Sequence, residues 1–165
     1  MTDRPLEIER KFLLRKLPDL EHVPSVEIRQ GYITAPQDTT EVRLRQSGEG
    51  HFLSVKGGAG LVRSEREVTI SAQQFQLLWP ETTGRRIEKT RYKGQLPDGL
   101  TYELDVYAGS LERLFTVEVE FPSEANANAF SVPDWFGKDV TLDKRYRNKS
   151  LAVADHETIK ALLNG

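Results

Sequence analysis

Pairs of carboxylate side chains two residues apart occur in three strand-like segments that alternate charged with apolar residues. The pairs are Glu7 and Glu9 in LEIERKF, Glu103 and Asp105 in TYELDVY, and Glu118 and Glu120 in FTVEVEF. Successive side chains of a β-strand point to opposite faces, so each pair would share one face of a strand. Like charges on one face repel, and a bound divalent cation would offset that repulsion. Because Mg²⁺ and Mn²⁺ prefer carboxylate and water oxygens, the pairs indicate a site for one or two such ions.

Basic side chains follow the same spacing elsewhere in the chain. The candidates are Arg43 and Arg45 in TEVRLRQ, Lys89 and Arg91 in IEKTRY, Lys56 in FLSVKG and Arg63 in LVRSEREVTI. Guanidinium groups bind phosphate oxygens through paired donors and stay charged at any relevant pH. Phosphoryl transfer depends mainly on positioning and electrostatic stabilisation. Acidic and basic pairs together therefore predict metal-assisted phosphoryl transfer, with a linear polyphosphate chain as the expected substrate.

The apolar residues between these charges alternate with them, which is typical of β-strands. A simple antiparallel sheet with one wet face would explain the alternation but not the same-sign pairs. Ser71 before AQQFQLLW predicts an N-capped helix that stops at Pro80, and Ser123 before EANANAF predicts a second helix. The tail from about Asn148 predicts a third helix or a broken pair. Many strands with few helices indicate an α+β fold, and charge on one strand face suggests a barrel with a polar lumen.

Length and composition exclude several classes of protein. The chain has 165 residues, which predicts a single domain over 1–165. It has no cysteine, which excludes disulfides, thiolate zinc sites and cysteine nucleophiles and suits a reducing cytoplasm. The balance of 23 basic against 25 acidic residues argues against a general nucleic-acid binder. No segment has the length or composition of a membrane helix or signal peptide, so we expect a cytoplasmic protein without a membrane partner.

Over nearly its whole length the sequence resembles the CYTH superfamily, the triphosphate tunnel metalloenzymes. Glu7, Glu9 and Lys11 match the N-terminal ExExK signature of that family. The segments VRLR, LSVKG, RSERE, EKTRY, YELDVY, VEVEF and DKRYRNKSLA then follow in the expected order. The resemblance implies an antiparallel eight-stranded β-barrel, or tunnel, with a charged lumen and a few flanking helices.

The resemblance also implies a role for each group of charged residues. Mg²⁺ or Mn²⁺ would be held by the acidic group: Glu7, Glu9, Glu65, Glu67, Asp105, Glu118 and Glu120. The triphosphate would be gripped by the basic group: Lys11, Arg43, Arg45, Lys56, Arg63, Lys89, Arg91, Lys144 and Arg145. Lys11 and Tyr32, in RQGYI, stand where short bacterial members have a lysine–tyrosine pair implicated in activating water. The alternative role for Tyr32 is a hydrogen bond to substrate alone.

The shared triphosphate grip does not decide the activity. EIERKFLL, QLLWPETTGRRIEKTRY and the tail most resemble short bacterial triphosphatases. We therefore expect hydrolysis of inorganic triphosphate to pyrophosphate and phosphate by a monomer or homodimer. The alternatives are a class IV-type adenylate cyclase, a thiamine triphosphatase, and a non-catalytic module that binds polyphosphate or nucleotide.

Overall fold

The computed structural model describes residues 8–57 and 64–164. Within these residues it has nine strands: β1 (Ile8–Leu14), β2 (Ser25–Tyr32), β3 (Glu41–Ser47), β4 (Gly50–Gly57), β5 (Ser64–Thr69), β6 (Arg86–Gln95), β7 (Thr101–Tyr107), β8 (Phe115–Phe121) and β9 (Phe136–Asp139). The same residues form four α-helices: α1 (Ala72–Leu78), α2 (Glu124–Asn128), α3 (Asn148–Leu151) and α4 (His156–Asn164). Short 3₁₀ turns cover Trp79–Thr82, Gly109–Leu111 and Lys144–Tyr146.

Hydrogen bonds join the strands of the described residues in the order β5-β4-β3-β2-β6-β7-β8-β1-β9. The paired strands β1–β8, β1–β9, β2–β3, β3–β4, β4–β5 and β7–β8 are antiparallel, which confirms the predicted antiparallel α+β class. The expected eight-stranded closed barrel needs correction on two points. The described residues form nine strands, and β5 and β9 are edges, so hydrogen bonds do not close the sheet. The ninth strand has only four residues, too few for alternation to reveal it.

Contacts divide the chain into two compact units. The first unit comprises residues up to Ser25, Arg91–Val106 and Phe115–Asp143. It holds β1, β8 and β9, most of β7 and the C-terminal half of β6. Its core is formed by the apolar positions that alternate with the carboxylates: Phe12, Leu104, Val117 and Val119 are almost completely buried. The alternation therefore buries the apolar face of these strands in a core and keeps the charged face outside that core.

Asp139 fastens the end of β9 to β1. Its Oδ2 accepts hydrogen bonds from Arg10 Nη2 at 2.9 Å and Nε at 3.3 Å. Its Oδ1 accepts one from the Thr141 backbone N–H at 2.9 Å and another from the Thr141 hydroxyl. Partial burial alone would raise the pKa of the Asp139 carboxyl, but these hydrogen bonds and the Arg10 charge together lower it below its ordinary value.

The lowered pKa of Asp139 predicts a pH-dependent contribution to stability. A depressed folded-state pKa stabilises the protein above the unfolded value of about 3.9, and the contribution is lost as pH falls through the folded value. Because the Asp139 side chain is 41% exposed, Asp139→Asn should cost only about 0.5–1 kcal/mol at pH 7. Urea titrations should show this difference at pH 7 and nearly none at about pH 2. An equal loss at both pH values would contradict the assignment.

The second unit comprises Val26–Thr90, Tyr107–Leu114 and the residues from Lys144 onward. The predicted helix after Ser71 is confirmed as α1, with a reciprocal capping box between Ser71 and Gln74. The helix ends at Leu78, and a 3₁₀ turn containing Pro80 follows it. Phe75 and Trp79 stack at 4.9 Å and pack with Leu44 of β3. These contacts cover the apolar face of β3.

Gly31 in β2 lies directly against Thr82. A Cβ atom at position 31 would stand 2.6 Å from the Thr82 side chain. Thr82 cannot move aside easily, because it is fully buried and its hydroxyl donates to the Trp79 carbonyl at 2.7 Å and accepts from Arg86 Nε at 2.9 Å. The backbone that precedes Tyr32 can therefore approach this turn only with glycine at position 31.

The other predicted helices are also present. The helix after Ser123 is α2, and Ser123 caps it through the Asn126 N–H. Of the two alternatives for the tail, the broken pair is correct, because α3 and α4 are separate. Asp155 starts α4 by accepting the Thr158 N–H at 2.8 Å, and this capping interaction lowers the pKa of its carboxyl. Within the described residues, no helix has the length and apolar character needed to cross a membrane.

Candidate active site

The first unit brings glutamates together across three neighbouring strands. In the β1–β8 register Glu9 lies opposite Glu120, and in the β7–β8 register Glu103 lies opposite Glu118. These four glutamates line a cavity of about 170 Å³ together with Lys93 and Thr101. Directly opposed like charges destabilise a sheet. Their presence twice around one cavity indicates that the cavity is built to receive a cation.

Two basic side chains reach into this acidic group. Lys11 Nζ lies 3.3 Å from Glu118 Oε1. Arg91 binds Glu103 through Nη1 at 2.7 Å and holds Asp105 in a bidentate pair, with Nε–Oδ1 at 2.8 Å and Nη2–Oδ2 at 2.9 Å. Burial by itself would lower the pKa of Arg91, but the hydrogen bonds and charge of Asp105, with the charges of Glu103 and Glu118, raise it. The guanidinium therefore stays charged whenever the protein is folded.

The cavity suits an ion that is shared with a substrate better than one held by protein alone. Among the described residues, no three carboxylate or imidazole side chains converge closely enough to form a complete ligand set. Mg²⁺ commonly takes only one or two protein carboxylates and completes its shell with water and phosphate oxygens. The four glutamates around this polar cavity supply more than that number of carboxylates. The residues present therefore fit Mg²⁺ or Mn²⁺ with most of the ion's shell left to substrate and water.

The second unit carries three of the predicted basic residues, Arg43, Arg45 and Lys56, on one face of its strands. The antiparallel registers set Tyr32 opposite Arg43, Arg43 opposite Ser54, and Ser54 opposite Glu67. The neighbouring row on this face contains Gln30, Arg45 and Phe52, and the row on the other side contains Glu41, Lys56 and Glu65. Because residues opposite one another point to the same side of a sheet, all of these side chains share one face.

The predicted metal ligands Glu65 and Glu67 lie on this basic face. Glu67 Oε2 accepts a hydrogen bond from Ser54 Oγ at 2.7 Å and lies 3.4 Å from Arg45 Nη2 and 4.0 Å from Arg43 Nη2. Glu65 Oε1 lies 3.9 Å from Lys56 Nζ. In this arrangement both carboxylates balance the charge of neighbouring cations. Their role as metal ligands stays a prediction.

One hydrogen-bond donor of Arg43 lacks an acceptor within the described part of the chain. Its Nε is buried and has no hydrogen-bond acceptor among the residues that the structure describes. A buried donor without a partner is uncommon and costly in a native protein. The side chain as a whole is only 12% exposed. An anion bound on this face would satisfy the donor, as the predicted triphosphate grip requires.

Replacement of Arg43 by alanine should therefore weaken the interaction with tripolyphosphate. Loss of one charged hydrogen bond is worth about 1.5–3 kcal/mol, or about 10–150-fold in kcat/KM. Arg66→Ala is the matched control, because Arg66 is exposed on β5 and alternates with Glu65 and Glu67. Steady-state kinetics on both variants should show the loss for Arg43→Ala alone. Equal kinetics for the two variants would mean that Arg43 does not touch substrate.

Tyr32 is almost completely buried, and its phenol oxygen accepts a hydrogen bond from Gln30 Nε2 at 3.1 Å. Burial raises the pKa of the Tyr32 phenol; the nearby Arg43 opposes this effect and Glu41 adds to it. A phenol with a raised pKa stays protonated at neutral pH, so it can donate a hydrogen bond more readily than it can accept a proton. This favours the substrate-bonding role of Tyr32. Lys11 belongs to the first unit and Tyr32 to the second, so their pairing stays a prediction.

The remaining basic candidates differ in their surroundings. Lys89 is only 3% exposed, and its Nζ lies 3.4 Å from Asn148 Oδ1 and 5.5 Å from the centre of the Tyr107 ring. Lys144 and Arg145 are exposed in the 3₁₀ turn before α3, where Arg145 lies over the Tyr146 ring. Two further predicted residues, Glu7 and Arg63, lie outside the described residues.

Three side chains at the acidic cavity or beside Tyr32 are absent from the site residues that the resemblance implied. Glu103 and Lys93 line the acidic cavity, and Gln30 bonds to Tyr32. Each lies two residues from a predicted site residue on the same strand: Glu103 from Asp105, Lys93 from Arg91 and Gln30 from Tyr32. The two-residue spacing had already paired Glu103 with Asp105, and one further step along β6 and β2 would have found Lys93 and Gln30.

The sequence and the fold are similar to those of known proteins. Residues 5–151 match the model of the CYTH domain. An inorganic triphosphatase of Nitrosomonas europaea is 56% identical over 148 residues, which cover 90% of this chain and 97% of that protein. One of Acetivibrio thermocellus is 36% identical over 156 residues, or 93% of this chain and 97% of that protein. A crystal structure of an inorganic triphosphatase superposes with a TM-score of 0.79 at 52% identity, covering 92% of this chain and 97% of that one. The chain therefore belongs to the CYTH domain family.

Proposed function

We propose that the protein hydrolyses inorganic triphosphate to pyrophosphate and phosphate with the help of a divalent cation. The observation that carries the proposal is the cavity in which glutamates oppose one another across β1, β8 and β7. A module that only bound a polyanion would need cations and would be weakened by these acids. The inorganic triphosphatases that are 56% and 36% identical over most of the chain support the same activity.

Each unit supplies a different part of the chemistry. In the first unit Glu9, Glu118 and Glu120 would hold the cation, and Glu103 lies at the same cavity. Asp105 acts through Arg91, because its bidentate pair fixes the plane of that guanidinium. When bound, Mg²⁺ or Mn²⁺ would draw phosphate oxygens together and offset their negative charge. Arg91 would add a fixed positive charge at the same cavity.

In the second unit Arg43, Arg45, Lys56 and Lys89 bind phosphate oxygens and offset the charge that develops on the leaving pyrophosphate. Lys144 and Arg145 would extend this group, as would Arg63. Tyr32 donates a hydrogen bond from a phenol that stays protonated near neutral pH. These residues do not need to move a proton, because positioning and charge supply most of the rate enhancement in phosphoryl transfer.

Hydrolysis also requires a group that orients the attacking water. The water oxygen forms a bond to a terminal phosphorus, the bridging P–O bond breaks, and the water proton passes to a base or to the departing phosphate oxygen. Lys11, at 3.3 Å from Glu118, is one candidate for orienting this water, and Tyr32 and a cavity carboxylate are the others. We place Lys11 first, because it contacts Glu118, one of the carboxylates that would hold the cation.

A substrate panel tests the proposal. Tripolyphosphate, ATP, thiamine triphosphate and a longer polyphosphate are each incubated with Mg²⁺ or Mn²⁺, and released phosphate is measured over time. We expect the highest kcat/KM with tripolyphosphate and complete loss of turnover with a chelator. Cyclic AMP formation from ATP would favour a cyclase, and preference for thiamine triphosphate would favour that hydrolase. Binding of triphosphate without turnover would leave only a binding module.

We further propose that residues 1–165 act as a single domain on a small polyphosphate, without nucleic acid or membrane. The near balance of charge argues against nucleic-acid binding, and the lack of cysteine suits the cytoplasm. A monomer or homodimer is the expected state, and light scattering after gel filtration would distinguish the two.

A further inference from the structure

Lys89 is a buried cation whose ammonium contacts a neutral group. It is 3% exposed on β6, and its Nζ lies 3.4 Å from the amide oxygen of Asn148. The Tyr107 ring lies under the same ammonium at 5.5 Å. Burial of an ammonium is costly unless polar partners and aromatic faces surround it. The amide and the ring hold the ammonium in place, and neither of them adds a negative charge to it.

Asn148 Oδ1 accepts a second hydrogen bond, from Tyr107 Oη at 3.1 Å. Two donors on one oxygen fix which end of the amide faces Lys89. Tyr107 is itself held in place, because its backbone N–H donates to the Leu114 carbonyl at 3.2 Å and the next residue, Ala108, donates to the Glu88 carbonyl at 2.9 Å. The Tyr107 hydroxyl therefore has a fixed position beside the strand that carries Lys89.

The backbone around Asn148 is also anchored. Asn148 is the first residue of α3, and its carbonyl accepts the Ala152 N–H at 2.9 Å. Tyr146 before it and Leu151 after it are each 2% exposed. Buried residues on both sides of Asn148 anchor the backbone from which its side chain extends. The start of α3 thus supplies a rigid support for one lysine of the basic group.

We propose that Asn148, oriented by Tyr107, is a positioning residue that holds the Lys89 ammonium where it meets a phosphate oxygen of the substrate. This inference rests on the proposed function, since it assigns Asn148 a task in binding the same polyphosphate. Asparagine suits the task because it accepts a hydrogen bond without forming a salt bridge. A carboxylate at the same place would pair with the ammonium and reduce its attraction for an anion.

The test compares Asn148→Ala and Asn148→Asp with the wild type and with the control Asn164→Asp, an exposed residue at the end of α4. Titration calorimetry measures the affinity for tripolyphosphate in the presence of EDTA, so the result does not depend on a metal or on turnover. We expect both Asn148 variants to bind about tenfold more weakly. The control should bind as the wild type does.

Repeating the comparison in a protein that carries Lys89→Ala separates a positioning role of Asn148 from general structural support. If Asn148 acts through Lys89, either Asn148 substitution in a Lys89→Ala protein should change the affinity by less than about twofold. Loss of the same size in both backgrounds would overturn the inference, and so would wild-type affinity of the single variants. Should the Asn148 variants fail to fold, Tyr107→Phe decides, because it keeps the ring and removes the hydroxyl. It should weaken binding about two- to tenfold only when Lys89 is present, and unchanged affinity would overturn the inference.

The proposed function and this inference fail in different ways. Wild-type protein that binds and hydrolyses tripolyphosphate, with Asn148 variants that bind equally well, would remove the positioning role alone. Wild-type protein that hydrolyses tripolyphosphate with Mg²⁺ but does not bind it in EDTA would likewise overturn the inference alone. Wild-type protein that neither binds tripolyphosphate in EDTA nor hydrolyses it with Mg²⁺ or Mn²⁺ would remove the proposed function and the inference together.

Discussion

Replacement of Glu9 by glutamine should lower kcat for tripolyphosphate by about 10²–10³-fold, the usual cost of losing one electrostatic contact to the reacting group. Glu9 lies opposite Glu120 across β1 and β8 and lines the acidic cavity. Glutamine has the same shape but no charge, so the fold should persist while the cation is held less strongly. The Mg²⁺ concentration for half-maximal rate should rise in the same variant.

Glu21→Gln is the matched control for this experiment, because it removes one exposed carboxylate from a loop of the same unit. Rates measured across a Mg²⁺ series, with thermal unfolding of each protein, separate loss of the metal site from loss of the fold. If Glu9→Gln showed near-normal activity and unchanged metal dependence, the acidic cavity would not be the metal site.

Replacement of Asp105 by alanine should destabilise the protein by about 3–5 kcal/mol, because it leaves the charge of Arg91 without its bidentate partner in a buried setting. The Asp105 side chain is 4% exposed and that of Arg91 is 20% exposed. Glu103→Gln breaks only the more exposed contact of the same guanidinium and should cost about 0–1 kcal/mol. Urea unfolding with two independent probes would measure both changes.

The double variant Asp105→Ala/Arg91→Met checks the origin of that loss. Arg91→Met removes the guanidinium that has lost its bidentate partner, so the double variant should be more stable than Asp105→Ala alone. A double variant that is less stable than Asp105→Ala would show that lost packing, rather than the lost bidentate pairing of Arg91, causes the effect.

The two-residue spacing of charges was sufficient to assign side chains to one face of a strand. It was not sufficient to identify the residues that lie opposite them on the neighbouring strand. It placed Glu118 and Glu120 on one side of β8 because the pleat alternates strictly. The opposition of Glu103 to Glu118, and the bidentate pair of Arg91 with Asp105, depend on the cross-strand register. Register is set by turns and by packing of the apolar face, which a single sequence does not reveal.

The fold was predictable where local signals were strong. Ser71 and Ser123 marked helix starts through capping chemistry that acts within three residues. The β9 strand was missed because FGKD is too short to show a period, and it is stabilised by a distant partner, Arg10. The tail sequence was compatible with one helix or with two. Asp155 begins α4 by accepting the Thr158 N–H, and the sequence alone did not reveal this hydrogen bond.

The close contact of Gly31 with Thr82 has a consequence for altering substrate preference by mutagenesis. A library that randomises the neighbourhood of Tyr32 while leaving Thr82 unchanged would consist largely of misfolded clones, since even alanine at position 31 meets the threonine side chain. Varying the two positions together, with glycine or alanine at 82 whenever 31 gains a side chain, would recover foldable combinations. Across natural relatives the two positions should covary for the same steric reason.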